Sequence, residues 1–416
     1  MTRPDPYSAR ARRVLAATGL VALAALAAGC ASPTGGGAAS NAASTGSSVK
    51  IGIITAESGP YAPYGEEYLA GLKAGLSYLS NGTDVIDGHK VQLVIDDDAD
   101  SPATAVADAK DLIGQGVDMI GGTVDSAIAL QVAAVAAQNK VLYIAGPAAV
   151  DSLDGLNRYT FRSGRESYQD IATAGTFVGD LTGKKVVVLA QDSEFGTANV
   201  AGVKAVLGGQ GASVSSVLVP LSATDFTPFT AKILAAKPDL LFVAWAGTNA
   251  TQMWTTLNQQ GVLSATKVVT GLANTATYPA TGPAGSKIEF LAHYFPGAGG
   301  GNAYEAAMTK TVTESGGTVD LFTPDGFTAM QMFAHALEAS PTDVSAMIKA
   351  LEGWSFAGVE GQYTVRAADH ALLQPEFEAK LTGSGTSWIP QLVKAVDPNT
   401  IAPPVPATPA WSTSGS

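Results

Sequence analysis

The feature that most restricts what this chain can fold into is a regular exchange of short apolar runs and helical patterns. Apolar runs at 49–55 (VKIGIIT), 90–95 (KVQLVI), 117–120 (VDMI) and 141–145 (VLYIA) are separated by stretches with helical spacing at 64–79 and 103–113, and by an alanine-rich stretch after Asp125-Ser126. Strands spaced by helices predict βαβ units on a parallel sheet. A second series follows in the same order, with strands at 185–190, 214–219, 240–245 and 267–270 and helices at 198–207, 226–236 and 250–260. The repetition predicts an α/β fold of two doubly wound parallel-sheet lobes. Helical patterns at 303–315, 325–339 and 342–351, then short strands at 361–365 and 376–381, can complete the first lobe. The chain then crosses between lobes more than once, a multi-strand hinge that permits rigid-body closure. The expected division is 49–164 with 294–377 for the N-terminal lobe and 165–293 with 378–396 for the C-terminal lobe.

The two ends read differently. Arg3, Arg10, Arg12 and Arg13 precede an apolar run over 14–28 that ends in Gly29-Cys30, the layout of a secretory signal over 1–29. The run is short for a spanning helix, which needs ~20 residues. Leu26-Ala27-Ala28-Gly29-Cys30 resembles a bacterial lipobox, with Ala27 where the usual leucine stands, and implies that Cys30 is lipidated. Residues 31–48 are small and aperiodic, a flexible linker between anchor and body. Residues 397–416 carry five prolines and no periodic pattern, and are expected to be a disordered tail. Cys30 is the sole cysteine, so the exported body must stand on its core without disulfides. A net charge of −12 argues against nucleic acid as a partner.

Motif searches give little catalytic chemistry. His89, His293, His335 and His370 are scattered without metal-ligand spacing, and HExxH, G-x-S-x-G and Walker patterns are absent from the sequence. Asp96-Asp97-Asp98-Ala99-Asp100 could start a calcium loop, but Ser101 stands where the turn glycine belongs and Ala107 where the bidentate glutamate belongs. A strand end and helix cap before Pro102 is the better reading. No cofactor, metal site or catalytic residue is expected.

The stretch 121–150 is more informative. Two glycines after a buried strand lead to Asp125-Ser126 at the start of a helix, and the next strand ends in Ala148-Ala149-Val150. A hydroxyl and free N–H groups at a helix N-terminus, beside a strand's carboxyl end, suit a small anion. Tyr61 and Tyr64 follow the first strand, and Trp245 and Thr248 end a second-lobe strand. Each pair is placed to touch a ligand between the lobes.

With these residues in view, the part from 49 to 396 resembles type I periplasmic binding proteins, in the leucine/isoleucine/valine-binding branch of ABC-transporter receptors. The resemblance rests on ordered landmarks: IGIITAESGPYAPYG, LVIDDDADSPATAVADAKDLI, IGGTVDSAIA with VLYIAGPAA, FRSGRESYQD, VVLAQDSEFGTANVAG and DFTPFTAKILAAKPDLLFVA. It implies that Ser126 and Ala148-Ala149-Val150 hold a ligand carboxylate, with Val150 in place of a threonine. It also implies ligand contacts from Tyr64, from Phe195 in place of a tyrosine, and from Trp245 to Thr248. Leu272 falls where the family's ammonium-binding glutamate belongs. Either Asp125, Asp325 or Glu194 substitutes, or the ligand lacks an ammonium, since a buried ammonium without a carboxylate is costly.

The expectation is a lipid-anchored extracytoplasmic receptor, monomeric, that captures a small carboxylate-bearing solute and presents it to ABC permease subunits. By family the solute is an amino acid; aromatic or aliphatic carboxylates and short amides are the alternative. A sensor feeding a signalling partner, or an enzyme on the same scaffold, are the rival readings.

Overall fold

The computed structural model describes residues 48–282, 287–405 and 411. The expected signal, Cys30 and nearly all of the linker lie outside the described residues. The first lobe opens with β1 (Val49–Thr55), α1 (Ala62–Leu79), β2 (Val85–Ile86), β3 (His89–Asp97), α2 (Pro102–Gly114), β4 (Met119–Gly122), α3 (Ser126–Asn139), β5 (Leu142–Ala145) and β6 (Thr160–Arg162). The second lobe contains α4 (Ser167–Gly175), β7 (Lys185–Gln191), α5 (Glu194–Gly209), β8 (Ser213–Val219), α6 (Thr227–Ala236) and β9 (Leu240–Ala244). It continues with α7 (Ala250–Gln259), α8 (Val262–Ala265), β10 (Lys267–Gly271), α9 (Tyr278–Thr281) and β11 (Ile288–Ala292). The chain then returns through α10 (Ala303–Glu314), α11 (Thr323–Ala339), α12 (Val344–Leu351), β12 (Ser355–Ala357), β13 (Gln362–Val365) and β14 (Leu372–Leu373). It ends with β15 (Glu376–Ser384) and β16 (Ser387–Val396) back in the second sheet.

The two sheets share one topology. The first runs β2-β3-β1-β4-β5-β6 and the second β16-β15-β11-β10-β9-β7-β8. Setting aside β2 and the antiparallel β15 and β16, each has its second strand, then its first, third, fourth and fifth, all parallel. In such a sheet the order reverses beside the first strand, and helices leave to opposite faces there. A crevice opens at the carboxyl ends of the flanking strands. Two doubly wound lobes joined by several crossings are therefore what the alternation of apolar runs encodes.

Continuous apolarity explains the central strands. Every residue of β4, β5 and β9 is buried, as expected of parallel strands covered on both faces. Elements without that signature are the ones the sequence hides. β6 has three residues, and α4 (SYQDIATAG) is short and polar on one side. β16 holds Pro390 and is largely exposed; an edge position tolerates a proline that a central strand would not.

α11 packs along α1 in the first-lobe core, where Ala329, Met330, Met332 and Phe333 join Ile51, Ile53, Tyr68 and Leu72. This is the physical reason that the segment after β11 must return. The tail does not match its expected disorder over its first residues. Ile401 is fully buried, the Pro403 carbonyl accepts from Arg366 Nη1 at 2.7 Å, and the Trp411 ring stacks on His370. Prolines exclude regular structure here without preventing docking.

Candidate ligand-binding site

A cleft of about 830 Å³, including its open mouth, lies where the carboxyl ends of the two sheets meet. Its first-lobe wall comes from the loops after β1 (Tyr61, Tyr64), β4 (Val124, Asp125, Ser126) and β5 (Pro147, Ala149). The second-lobe wall comes from Phe195 after β7, from β9 and its exit (Phe242 to Ala246), and from Gly271 to Ala273 after β10. Arg165, His293, Leu321 and Phe322 come from the segments that cross between lobes.

The structure brings together Tyr64, Asp125, Ser126, Ala149, Phe195, Trp245 and Leu272 from the expected set. It does not bring in Ala148, Val150, Thr248 or Asp325. Pro147 and Ala149 face the cleft, while Ala148 and Val150 are buried in the core behind it. The Val150 carbonyl instead accepts from Arg162 Nη2 at 2.8 Å. Gly247, at φ +85°, turns the chain after Trp245-Ala246 and leaves Thr248 exposed to solvent. Asp325 is fully buried in the first turn of α11, against Gly164 and behind Arg165. Burial pushes its carboxyl up to about 7, with the Arg165 charge pulling the other way. Glu194 is exposed in the first turn of α5 and does not line the cleft.

Asp125 changes the reading of the helix N-terminus. Its Oδ1 accepts from the N–H groups of Ala127 at 2.8 Å and Ile128 at 3.0 Å. The chain thus caps α3 with its own carboxylate, consuming the donors that a bound anion would use. Among the described residues, the Ser126 hydroxyl stays available to an anion on this wall.

The cation is Arg165, which sequence reasoning missed. It follows β6 on the first crossing, within FRSGRESYQD, and an arginine directly after Ser163-Gly164 at a strand's carboxyl end is the signal that could have found it. Its side chain is buried, with Nη1 donating to the Pro147 carbonyl at 2.9 Å and Nε 3.3 Å from Asp170 Oδ2. Its Cζ lies 5.4 Å from the centre of the Phe322 ring. Nη2 has no partner among the described residues and keeps open surface on the cleft. Its Nη2 can donate to a carboxylate.

Aromatic groups make up much of the remaining wall. Tyr64 stacks on Tyr61 with centroids 6.2 Å apart and meets Phe322 edge-on at 4.9 Å. Trp245 Nε1 donates to Asn249 Oδ1 at 2.9 Å, which leaves the indole body to the cleft. The Tyr64 hydroxyl accepts from Gly247 N at 3.1 Å, tying the first lobe to the second.

A second tie between the lobes is titratable. Asp320 Oδ2, just before α11, accepts from Thr275 N at 2.9 Å and Thr275 Oγ1 at 2.6 Å. Glu67 on α1 accepts from Phe322 N at 3.0 Å and bonds Asn274. Burial, and then the neighbouring Asp320, push the Glu67 carboxyl up to about 8. A carboxyl raised on folding contributes stability that is complete below its ordinary value near 4.5 and is lost as pH rises through about 8. Glu67→Gln, which keeps an acceptor for Phe322 N but cannot ionise, should therefore melt higher than wild type at pH 8.5. It should lose that advantage by pH 5. Equal melting differences at both pH values would show that Glu67 does not titrate there.

Among the described residues, no group of His, Cys, Asp or Glu is arranged to hold a metal ion. Nor is any helix long and apolar enough to cross a membrane.

Residues 48–386 match the model of the periplasmic binding protein family. A Leu/Ile/Val-binding protein of Rhizobium johnstonii is 27% identical over 198 residues, 47% of this chain and only 53% of that relative. A Leu/Ile/Val-binding protein homologue of Brucella melitensis is 24% identical over 73% of this chain and 83% of its own length. Among solved structures, an ABC-type branched-chain amino acid transporter protein of Rhodopseudomonas palustris is 27% identical, with a TM-score of 0.70 over 86% of this chain and 99% of that one. A solute-binding protein of an ABC transporter from R. palustris, in complex with 4-hydroxybenzoate, has a TM-score of 0.77 at 21% identity, covering 84% and 97%. That family consists of solute-binding receptors and not of enzymes. With two lobes of one topology facing each other across a cleft at their strand ends, the chain belongs to the type I periplasmic binding proteins, the solute-binding components of ABC transporters.

Proposed function

We propose that this protein is the lipid-anchored receptor of an ABC importer and captures a small carboxylate-bearing solute between its lobes. The observation that carries the reading is Arg165, a buried guanidinium that lines the cleft and whose Nη2 has no partner among the described residues. In this reading Arg165 and Ser126 hold the carboxylate, while Tyr61, Phe195, Trp245 and Leu272 enclose the apolar part. Cys30 would carry the lipid, and the closed lobes would be the form that permease subunits accept. No catalytic role is assigned to any residue.

The solute class has two supports that pull apart. Leu272 lies on the wall where a carboxylate would be needed for an ammonium, and a solved relative binds 4-hydroxybenzoate; both favour an amine-free acid. Asp125 keeps one carboxylate oxygen outside its capping bonds, and other relatives are Leu/Ile/Val-binding proteins; both favour an amino acid.

A ligand that binds only the folded form raises its stability, by about 2.7 kcal/mol at a hundred times the dissociation constant. A thermal-shift screen of branched-chain amino acids, their hydroxy and keto analogues, and benzoates should give a clear rise for at least one class. Silence across the whole panel would remove the carboxylate reading. For the class that binds, Ser126→Ala should cost about 1.5–3 kcal/mol, the scale of a lost hydrogen bond to a charged group. An unchanged affinity would take Ser126 out of the site.

A further inference from the structure

His293 directly follows β11 on the second crossing and lines the cleft, yet nothing in the carboxylate reading uses it. Its Nε2 lies 3.0 Å from the Leu321 carbonyl oxygen. A carbonyl can only accept, so Nε2 carries the hydrogen, and a neutral ring then has an unprotonated Nδ1. Burial first, and the Arg165 charge second, hold the imidazole well below its ordinary range and keep it neutral. Nδ1 has no hydrogen-bond partner among the described residues, and it retains open surface on a residue that is otherwise buried. The cleft therefore presents a fixed acceptor.

Arg165 and His293 both lean on the Phe322 ring, with the guanidinium carbon 5.4 Å and the imidazole centre 5.2 Å from the ring centre. Both also line the same cleft, so one small molecule can reach both. The two groups ask for different things. Arg165 wants an anion, and Nδ1 wants a donor. An ammonium is a donor, but the burial that keeps the imidazole neutral also penalises a charge placed against it. An α-ammonium is two bonds from its carboxylate carbon, so a carboxylate on Arg165 would hold it in that buried place. A hydroxyl donates without charge.

We propose that the cleft selects a hydroxylated carboxylate, with the acid on Arg165 and the hydroxyl donating to His293 Nδ1. This rests on the carboxylate reading above and narrows its class, making His293 the residue that sets specificity. An acceptor left unpaired by a ligand without a donor is a desolvation loss, which is what makes the discrimination steep.

The test uses matched sets on the whole exported protein, by calorimetry at pH 7.5. One set is 2-hydroxy-4-methylpentanoate, leucine and 4-methyl-2-oxopentanoate; the other is 2-, 3- and 4-hydroxybenzoate with benzoate. In at least one set a hydroxy acid should bind about tenfold or more tighter than every member lacking a hydroxyl. His293→Phe should erase that ratio while still binding the unhydroxylated acid, and His293→Gln, which offers both a donor and an acceptor, should restore part of it. Nitrogen-15 spectra of the imidazole provide a readout independent of ligand: a neutral ring with its proton on Nε2 is expected down to pH 6. A charged ring at pH 6, a proton on Nδ1, leucine binding tighter than its hydroxy analogue, or a ratio that survives His293→Phe would each overturn the proposal. If acids bind but hydroxyls give no advantage, only this inference fails. If no acid binds, the carboxylate reading fails and takes this one with it.

Discussion

Replacing Arg165 by methionine is expected to weaken the best-bound carboxylate about a hundredfold or more, roughly 3 kcal/mol, the scale for removing one partner of a buried charged pair. The size follows from the surroundings. Arg165 is the cleft-lining cation; its Nη1 is hydrogen-bonded to Pro147 and its Nε lies 3.3 Å from the Asp170 carboxyl, so its orientation is set before any ligand arrives. Preorganised donors in a site closed to water are worth more than mobile ones. Arg165→Lys should fall between, because an ammonium cannot hold Pro147, Asp170 and a ligand in one plane. Removing the charge also strands the buried carboxyl of Asp170, so the melting temperature should drop. That loss is separable from the binding loss. Arg165→Met with Asp170→Asn should recover much of the stability and none of the affinity. Calorimetric titration and melting of the four proteins decide the matter: a double variant that binds normally would show that Arg165 serves only the fold.

Arg165 also marks where sequence reading stops. The lobes were legible because parallel strands buried on both faces are continuous apolar runs, as in VKIGIIT and LLFVAW, and those runs repeat in the same order. Of the wall residues at the strand ends, Tyr64, Ser126 and Trp245 were legible for the same reason, since a crevice opens there, while Phe195 and Leu272 came only from the family resemblance. The floor was not. Arg165, His293 and Phe322 sit on crossing segments, and only the folded hinge reveals that those segments pass beneath the cleft. Two finer misreadings have local causes. Spacing cannot tell which of Ala148, Ala149 and Val150 faces inward when one residue decides the face. Asp125 as a cap and Asp125 as a ligand contact look alike until its Oδ1 is found on Ala127 and Ile128. Asp325 illustrates a third cause. Its acidity drew it into the expected site, whereas a carboxyl pushed up by burial is often a hinge group beneath the site.

Gly326→Ala should cost about 3 kcal/mol or more, lowering the melting temperature by roughly 4 °C or more, although the residue touches neither ligand nor cleft. Helix propensity alone predicts the opposite, a gain of up to about 1 kcal/mol. Geometry decides between them. A Cβ at Gly326 would lie 1.9 Å from the Tyr68 carbonyl oxygen and 2.6 Å from Leu72 N on α1. The reciprocal contact is as close: a Cβ at Gly71 would lie 1.7 Å from the Thr323 carbonyl oxygen. Both obstacles are backbone, so no rotamer change relieves them, and α1 and α11 must part. The damage should reach the site as well. Tyr68 lies in the contact, and its hydroxyl accepts from Gly122 N at 3.2 Å, at the end of β4 just before Asp125-Ser126. Moving α1 pulls on that bond, so ligand affinity should fall with stability. Gly114→Ala, at the end of α2 with open space around it, is the control and should leave both unchanged or slightly raised. If Gly326→Ala melts with wild type, α1 and α11 do not approach backbone to backbone, and the anchoring of the returning chain to the first lobe must lie in the side chains alone.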